Sequence, residues 1–130
     1  MELLPEGQKN TTEVLWEDQQ KINGFSSLIN RKDALAEQLA AYKTEKEYID
    51  DLAMEIELLD DEEKIQYKIA DAFVFVSVAK AVEMIEKENE LLDGKISLTE
   101  DRIDDIDSQL AMLKAHLYGK FGNSINLERD

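Results

Sequence analysis

From Val82 to Leu117 the chain steps through Val82, Ile85, Asn89, Leu92, Ile96, Thr99, Ile103, Ile106, Leu110, Leu113 and Leu117, spacings of 3 and 4 in strict alternation. Nine of these eleven positions are apolar. A repeat of about 3.5 residues keeps one narrow stripe of a helix facing a partner helix, which makes it the seam of a coiled coil. The first half carries a rougher version: Leu28, Leu35, Tyr42, Ile49 and Ile56, each seven residues after the last. Its second row is Phe25, Lys32, Leu39, Lys46 and Ala53, so two lysines stand at apolar positions. Their stems can lie along the seam while the amines reach water, and they disfavour pairing of this helix with a copy of itself. At a rise of about 1.5 Å per residue, each helix of some 40 residues spans roughly 60 Å.

Between the two heptad stretches the period changes to two. Ile65-Gln66-Tyr67-Lys68-Ile69 alternates apolar and polar, and Ala72-Phe73-Val74-Phe75-Val76-Ser77-Val78 is rich in β-branched and aromatic residues. A two-residue turn at Ala70-Asp71 sets Ile69 opposite Ala72, Tyr67 opposite Val74 and Ile65 opposite Val76. Phe73 and Phe75 then point to the other face, so the second strand is apolar on both sides. A lone two-stranded hairpin is marginal in water. Its open edges and exposed apolar side chains imply pairing with strands of other subunits.

The fold expected is mainly α: a long antiparallel two-helix coiled coil with one β-hairpin at the bend. As one unit of 130 residues, it divides into a flexible arm (1–15), helix one (17–58), the hairpin (64–78), helix two (80–118) and a tail (119–130). Glu17 and Asp18 suit the positive end of helix one, and Gly119 and Gly122 end helix two. The antiparallel arrangement sets Ile22 opposite Leu117, Ile29 opposite Leu110 and Ala36 opposite Ile103, with Ile56 facing Val82 across the bend.

Composition excludes several functions. Thirty Asp and Glu against fifteen Lys and Arg give a net charge of −15, which argues against nucleic acid or an anionic membrane as partner. With no cysteine there is no disulfide or thiolate chemistry. The first residues, Met1 to Gly7, are neither basic nor followed by an apolar core, so no signal peptide is expected, and no apolar run reaches membrane-spanning length. Asn10-Thr11-Thr12 matches a glycosylation triplet by chance. Asp60-Asp61-Glu62-Glu63 lacks the spacing and central glycine of a calcium loop and reads as a solvated bend. Asp101, Asp104, Asp105 and Asp107 read as a charged face in preference to a cation site. Asn89 in the seam is either a register-setting residue or a tolerated defect. His116, the single histidine, lies off the seam and reads as a surface residue. No nucleophile–base pair or phosphate loop is present, so neither an enzyme nor a cofactor is expected.

What remains is surface for binding protein. In the antiparallel hairpin, Val14, Leu15, Trp16, Ile22 and Phe25 approach Leu113, Leu117, Tyr118 and Phe121. Ile22, Phe25, Leu113 and Leu117 belong to the seam. Leu15, Trp16, Tyr118, Phe121, Ile125 and Leu127 form the candidate binding tip, with Trp16, Phe121, Ile125 and Leu127 beyond the regular helices. Ile65, Tyr67, Ile69, Phe73, Val74, Phe75 and Val76 form the candidate assembly surface.

Local sequence adds a family. Glu17-Asp18-Gln19-Gln20-Lys21-Ile22-Asn23 resembles the helix-one opening of prefoldin β-class subunits, as does Glu45-Lys46-Glu47-Tyr48-Ile49-Asp50-Asp51 further along. Tyr67-Lys68-Ile69-Ala70-Asp71-Ala72-Phe73 resembles their hairpin, and Leu117-Tyr118-Gly119-Lys120-Phe121-Gly122-Asn123-Ser124-Ile125-Asn126-Leu127 their tail. The resemblance covers nearly the whole chain; the single hairpin marks the β class, two hairpins the α class. Ala70 departs from the glycine common there, and alanine resists the positive φ of many tight turns. The resemblance implies a cytoplasmic heterohexamer of two α-class and four β-class subunits, this chain joined by three further β-class ones. Their hairpins build a β-barrel platform. The coiled-coil tips hold unfolded actin and tubulin without ATP and deliver them to the cytosolic chaperonin. The alternative from another class is a structural coiled-coil adaptor in a tethering or cytoskeletal complex, which has no use for a hairpin that must pair in a ring.

Overall fold

A computed structural model of the chain describes residues 2–3, 16–69, 71–122 and 125–127. The elements run β1 (Glu2–Leu3), α1 (Trp16–Ile56), β2 (Lys64–Ile69), β3 (Ala72–Ser77), α2 (Val78–Phe121) and β4 (Ile125–Asn126). Two long helices thus enclose one antiparallel hairpin. The chain divides into two compact units, residues 1–37 with 101–130 and residues 38–100.

In the hairpin unit, β2 and β3 pair Ile65↔Val76, Tyr67↔Val74 and Ile69↔Ala72, the register read from the period-2 pattern. Ala70, in the turn, lies outside the described residues. Tyr67 is buried with Ile49, Ile56, Val78, Ala81, Ile85 and Leu92, and Ile65 and Val76 pack against them. One hairpin face therefore closes on the helices of its own chain. Seam Lys46 reaches across to helix two, its Nζ 2.7 Å from Asp93 Oδ1 and donating to Asn89 Oδ1 at 3.4 Å. Asn89 is thus a partner for a charge and not a defect. Seam Thr99 is buried and satisfies its hydroxyl by donating to the Lys95 carbonyl at 2.7 Å.

Helix two begins at Val78, two residues before the start expected. Its first N–H groups find acceptors: Val78 donates to the Glu63 carbonyl (2.8 Å) and Ala79 to the Asp61 carbonyl (3.2 Å). Lys80 donates to Ser77 Oγ (3.2 Å), an N-cap. The acidic bend at residues 60–63 therefore terminates this helix through backbone carbonyls. The earlier start buries Val78 and Ala81, leaving Val82, expected in the seam, exposed.

In the other unit, Ile22, Phe25, Ile106, Leu110, Leu117, Phe121 and Leu127 form the core, with Ile29 and Leu113 packed against it. Ile22 and Leu117, and Ile29 and Leu110, share this core as the antiparallel register requires. Lys32 Nζ lies 2.6 Å from Asp107 Oδ1. Helix two runs through Gly119 to Phe121, three residues beyond the expected end, and stops at Gly122, whose φ of 57° suits a residue without a Cβ. The chain then returns. The N–H of Leu127 donates to Tyr118 Oη at 3.2 Å, and β4 pairs with β1, Leu3 opposite Ile125. Residues 2–3 of the expected flexible arm are thus held in a short sheet.

Two predictions follow from this packing. Leu92 is 1% exposed and its neighbour Leu91 58% exposed. Leu92→Ala is expected to lower unfolding free energy by about 2–5 kcal/mol, as buried truncations do, and Leu91→Ala to stay within about 0.5 kcal/mol, both read by urea titration. The second concerns pH. The Lys46 amine is held above its ordinary 10.5 by the hydrogen bond to Asp93, with burial opposing and the charges of Asp93 and Asp50 adding. Burial raises the Tyr67 phenol above 10.0, with Glu88 next. Both bind protons more tightly when folded, so their stabilisation is fully present below those ordinary values and is lost as pH rises through the higher folded ones. The urea midpoint should fall as pH rises above about 10, and Tyr67→Phe should make that fall shallower.

Candidate interaction surfaces

The assembly residues divide along the pleat. Phe73 (60%) and Phe75 (71%) are exposed, with Val74 at the margin of exposure. Tyr67 belongs instead to the core of its own chain, and Ile65 and Val76 are half-buried there. Their face of the hairpin meets α1 and α2 of the same chain. The side chain of Ile69 lies outside the described residues. On the outer face, the neighbours across from Ser77, Phe75 and Phe73 are Lys64, Gln66 and Lys68. That face is polar on β2 and apolar on β3. Beside the hairpin an open cleft of about 370 Å³ is floored by Ala53, Ile56, Val78, Val82 and Ile85. Exposed Leu58 and Leu59 belong to the same bend.

The binding-tip residues divide too. Trp16 opens α1 and is 73% exposed. Phe121 and Leu127, expected beyond the helical core, are buried within it. Phe121 is the last helical residue, and the turn at Gly122 brings Leu127 back onto Tyr118. Tyr118 is half-buried and receives that hydrogen bond. Leu15 and the side chain of Ile125 lie outside the described residues.

Sequence reasoning missed the ion pair that fastens this unit. Asp18 is buried, and one of its carboxylate oxygens accepts a hydrogen bond from Lys120 Nζ. His116 Nε2 lies 3.9 Å from the other oxygen and 3.0 Å from Lys21 Nζ. Asp18 was legible only as an acidic residue in the first turn; its partner lies 102 positions away. The exposure of Met112 was also missed. It sits off the seam, where an apolar residue carries no periodic signal. Among the described residues no group of three or more His, Cys, Asp or Glu is placed to hold a metal ion. Among the described residues no helix is long and apolar enough to cross a membrane.

This architecture has counterparts. The sequence profile of the family described as prefoldin subunit matches residues 19–124. Prefoldin subunit 4 of Saccharomyces cerevisiae is 57% identical over 129 residues, 99% of this chain and 100% of the relative. Prefoldin subunit 4 of Homo sapiens is 39% identical over 118 residues, 90% of this chain and 88% of the relative. The crystal structure of the prefoldin beta subunit from Thermococcus strain KS-1 superposes with a TM-score of 0.73 at 17% identity, covering 86% of this chain and 98% of that one. At that identity the likeness concerns the fold, two long helices around a single hairpin. With profile, near full-length relatives and fold in agreement, the chain belongs to the prefoldin subunit family.

Proposed function

We propose that the chain is the subunit-4 member of a hexameric prefoldin co-chaperone, beside two α-class and three further β-class subunits. In this reading it works in the cytoplasm, binds unfolded proteins of the actin and tubulin class without ATP, and passes them to the cytosolic chaperonin. It carries out no chemistry of its own. The observation that carries the reading is the outer face of the hairpin. Phe73 and Phe75 stand in solvent on a sheet that has only two strands among the described residues. Two exposed phenylalanines on a strand are a liability for a free chain and suit a strand that neighbours cover. The 57% identity to a relative named prefoldin subunit 4 supports the position within the hexamer. Exposed Trp16, at the opening of α1, is the large apolar group best suited to grip a client.

Assembly is the first test. Phe75→Asp places a carboxylate on the face that neighbours would bury, and burying it unpaired costs several kcal/mol. Co-expression with the other subunits should then give no hexamer by native mass, while the helicity of the isolated chain by circular dichroism changes little. An intact hexamer containing Phe75→Asp would refute the barrel assignment.

Client capture is the second. Trp16→Ala removes an exposed side chain, so the hexamer should form normally. Suppression of actin or tubulin aggregation on dilution from denaturant should weaken by an amount corresponding to one apolar anchor, up to about 1.5–3 kcal/mol. The loss should be partly masked by the remaining subunits, which keep the client's effective concentration high. Phe121→Ala, in contrast, should lower the chain's own stability, because it opens the core. Suppression unchanged by Trp16→Ala, even with other subunits' tips truncated, would place clients elsewhere.

A further inference from the structure

A small cleft of about 200 Å³ lies where β2 meets both helices, lined by Glu45, Tyr48, Ile49, Tyr67, Met84 and Glu88 together with Lys68. Its walls follow from local structure. Glu45, Tyr48 and Ile49 stand at i, i+3 and i+4 on α1, and Met84 and Glu88 at i and i+4 on α2. Each helix thus turns one face to the cleft. Tyr67 comes from the inner face of β2. Lys68 takes part through its backbone, whose N–H donates to Tyr48 Oη at 3.4 Å. Its side chain alternates to the outer face of the hairpin, across from Phe73. The side chains around the cleft therefore bring two carboxylates and two tyrosines, and the lysine amine points away.

The polar groups of this lining lack partners. Tyr67 is 5% exposed, and its hydroxyl has no hydrogen-bond partner among the described residues. No fully buried polar atom is left unsatisfied, so the hydroxyl opens on the cleft that the residue lines. Glu45 and Glu88 have no ion pair among the described residues. The lysines nearest Glu45 in sequence are engaged elsewhere, Lys43 with Glu100 and Lys46 with Asp93. The charges of Glu88 and Glu45 both act on the Tyr67 phenol, which puts the two carboxylates within electrostatic reach of one hydroxyl. Water satisfies a hydroxyl and a carboxylate alike, but gains nothing from an aromatic ring; a cation gains from all three.

We propose that this cleft binds a primary alkylammonium group, the chemistry of a lysine side chain. An ammonium has three N–H donors and no acceptor. The cleft offers acceptors from three elements, Glu45 on α1, Glu88 on α2 and Tyr67 Oη on β2. The quadrupoles of the tyrosine rings attract the same charge, and Ile49 and Met84 give the alkyl stem an apolar wall. Size limits the ligand. Sites for drug-sized molecules run about 300–1,000 Å³, so a cleft of about 200 Å³ admits one side-chain head and little more. A guanidinium fits less well, because its donors lie in a rigid plane suited to the two oxygens of one carboxylate. The site uses neither the outer face of the hairpin nor Trp16, so it stands apart from the assembly and client readings.

The test uses the full-length, isotope-labelled chain and three probes: Nα-acetyl-lysine methylamide, n-butylamine as the side chain alone, and Nα-acetyl-norleucine methylamide as the uncharged counterpart. In amide NMR spectra at neutral pH, both amines should shift the resonances of Tyr48, Tyr67 and Lys68 to saturation, and the norleucine compound should not. Tighter binding of the lysine compound supports the site and assigns its ligand to a polypeptide; tighter binding of butylamine supports it and assigns a free amine. Glu45→Gln with Glu88→Gln should raise the dissociation constant by about tenfold or more. Tyr67→Phe should raise it severalfold and leave the thermal midpoint at neutral pH unchanged or higher, because the hydroxyl has no bond within the chain to lose. Glu55→Gln with Glu90→Gln removes the same charge from positions that do not line the cleft and should leave binding unchanged. That arm separates the site from the general attraction of cations to a chain of net charge −15. Circular dichroism confirms that each variant keeps its helices. Absent shifts, equal shifts by the norleucine compound, an equal loss in the Glu55 and Glu90 variant, or unchanged affinity in Tyr67→Phe would each overturn the proposal.

Discussion

The start of α2 governs the hairpin end of the chain. A helix leaves its first N–H groups without partners inside itself, and buried donors left unpaired are costly. Here the Glu63 and Asp61 carbonyls and Ser77 Oγ accept from Val78, Ala79 and Lys80. The bend that supplies two of these acceptors is also acidic, which suits the positive end of the helix dipole. Fixing the first turn fixes which residues of α2 face inward. Val78, Ala81 and Ile85 turn toward Tyr67 and Ile56, and Leu92 follows one heptad after Ile85. The same hydrogen bonds tie the residues just before β2 to those just after β3, so the hairpin is closed at its base as well as along its ladder.

Polar residues in the seam specify more than they stabilise. Lys46 with Asp93 and Asn89, Lys32 with Asp107, and Asp18 with Lys120 each join α1 to α2. Exposed pairs of this kind contribute little net stability. Their value lies in choice of partner: α2 supplies the aspartates that Lys32 and Lys46 meet, which suits pairing of α1 with α2. Asp18 differs because it is buried. A carboxylate taken out of water needs its cation, and removing one partner of such a pair is more damaging than replacing both. The tail contributes to the same end of the helices, since the buried Leu127 and Phe121 belong to the core that the Asp18–Lys120 pair adjoins in sequence.

Much of this was legible because it is periodic. The 3-4 alternation after Val82 located the seam, and the period of two from Ile65 to Val76 gave the hairpin its register. The class of fold follows from those two patterns alone. What periodicity does not encode is which partner an apolar residue faces. Phe121, Leu127 and Tyr67 carry the same apolar signal whether they face their own chain or another. Their burial depends on a turn at Gly122, a hydrogen bond from Leu127 to Tyr118, and the closing of one hairpin face on the helices. The end of α2 was placed three residues early because two glycines look alike in sequence, yet only Gly122 has a positive φ. Its early start was missed because the capping carbonyls come from a bend some 15 residues away, on the far side of the hairpin.

The distribution of apolar surface shows how an acidic chain built on long helices reconciles solubility with association. A pair of helices buries only a narrow seam, so every large apolar residue off that seam must be solvated or covered. On the hairpin the exposed apolar groups sit on β3, while Lys64, Gln66 and Lys68 occupy the same face of β2. Lysine on a strand discourages indiscriminate pairing, so the face as a whole accepts a neighbour that supplies apolar cover on one side and tolerates charge on the other. A net charge of −15 adds long-range repulsion between copies, which slows nonspecific contact among like chains but not contact with a less acidic partner. Apolar groups that would make a neutral chain sticky toward itself thus become selective for partners that bring complementary charge.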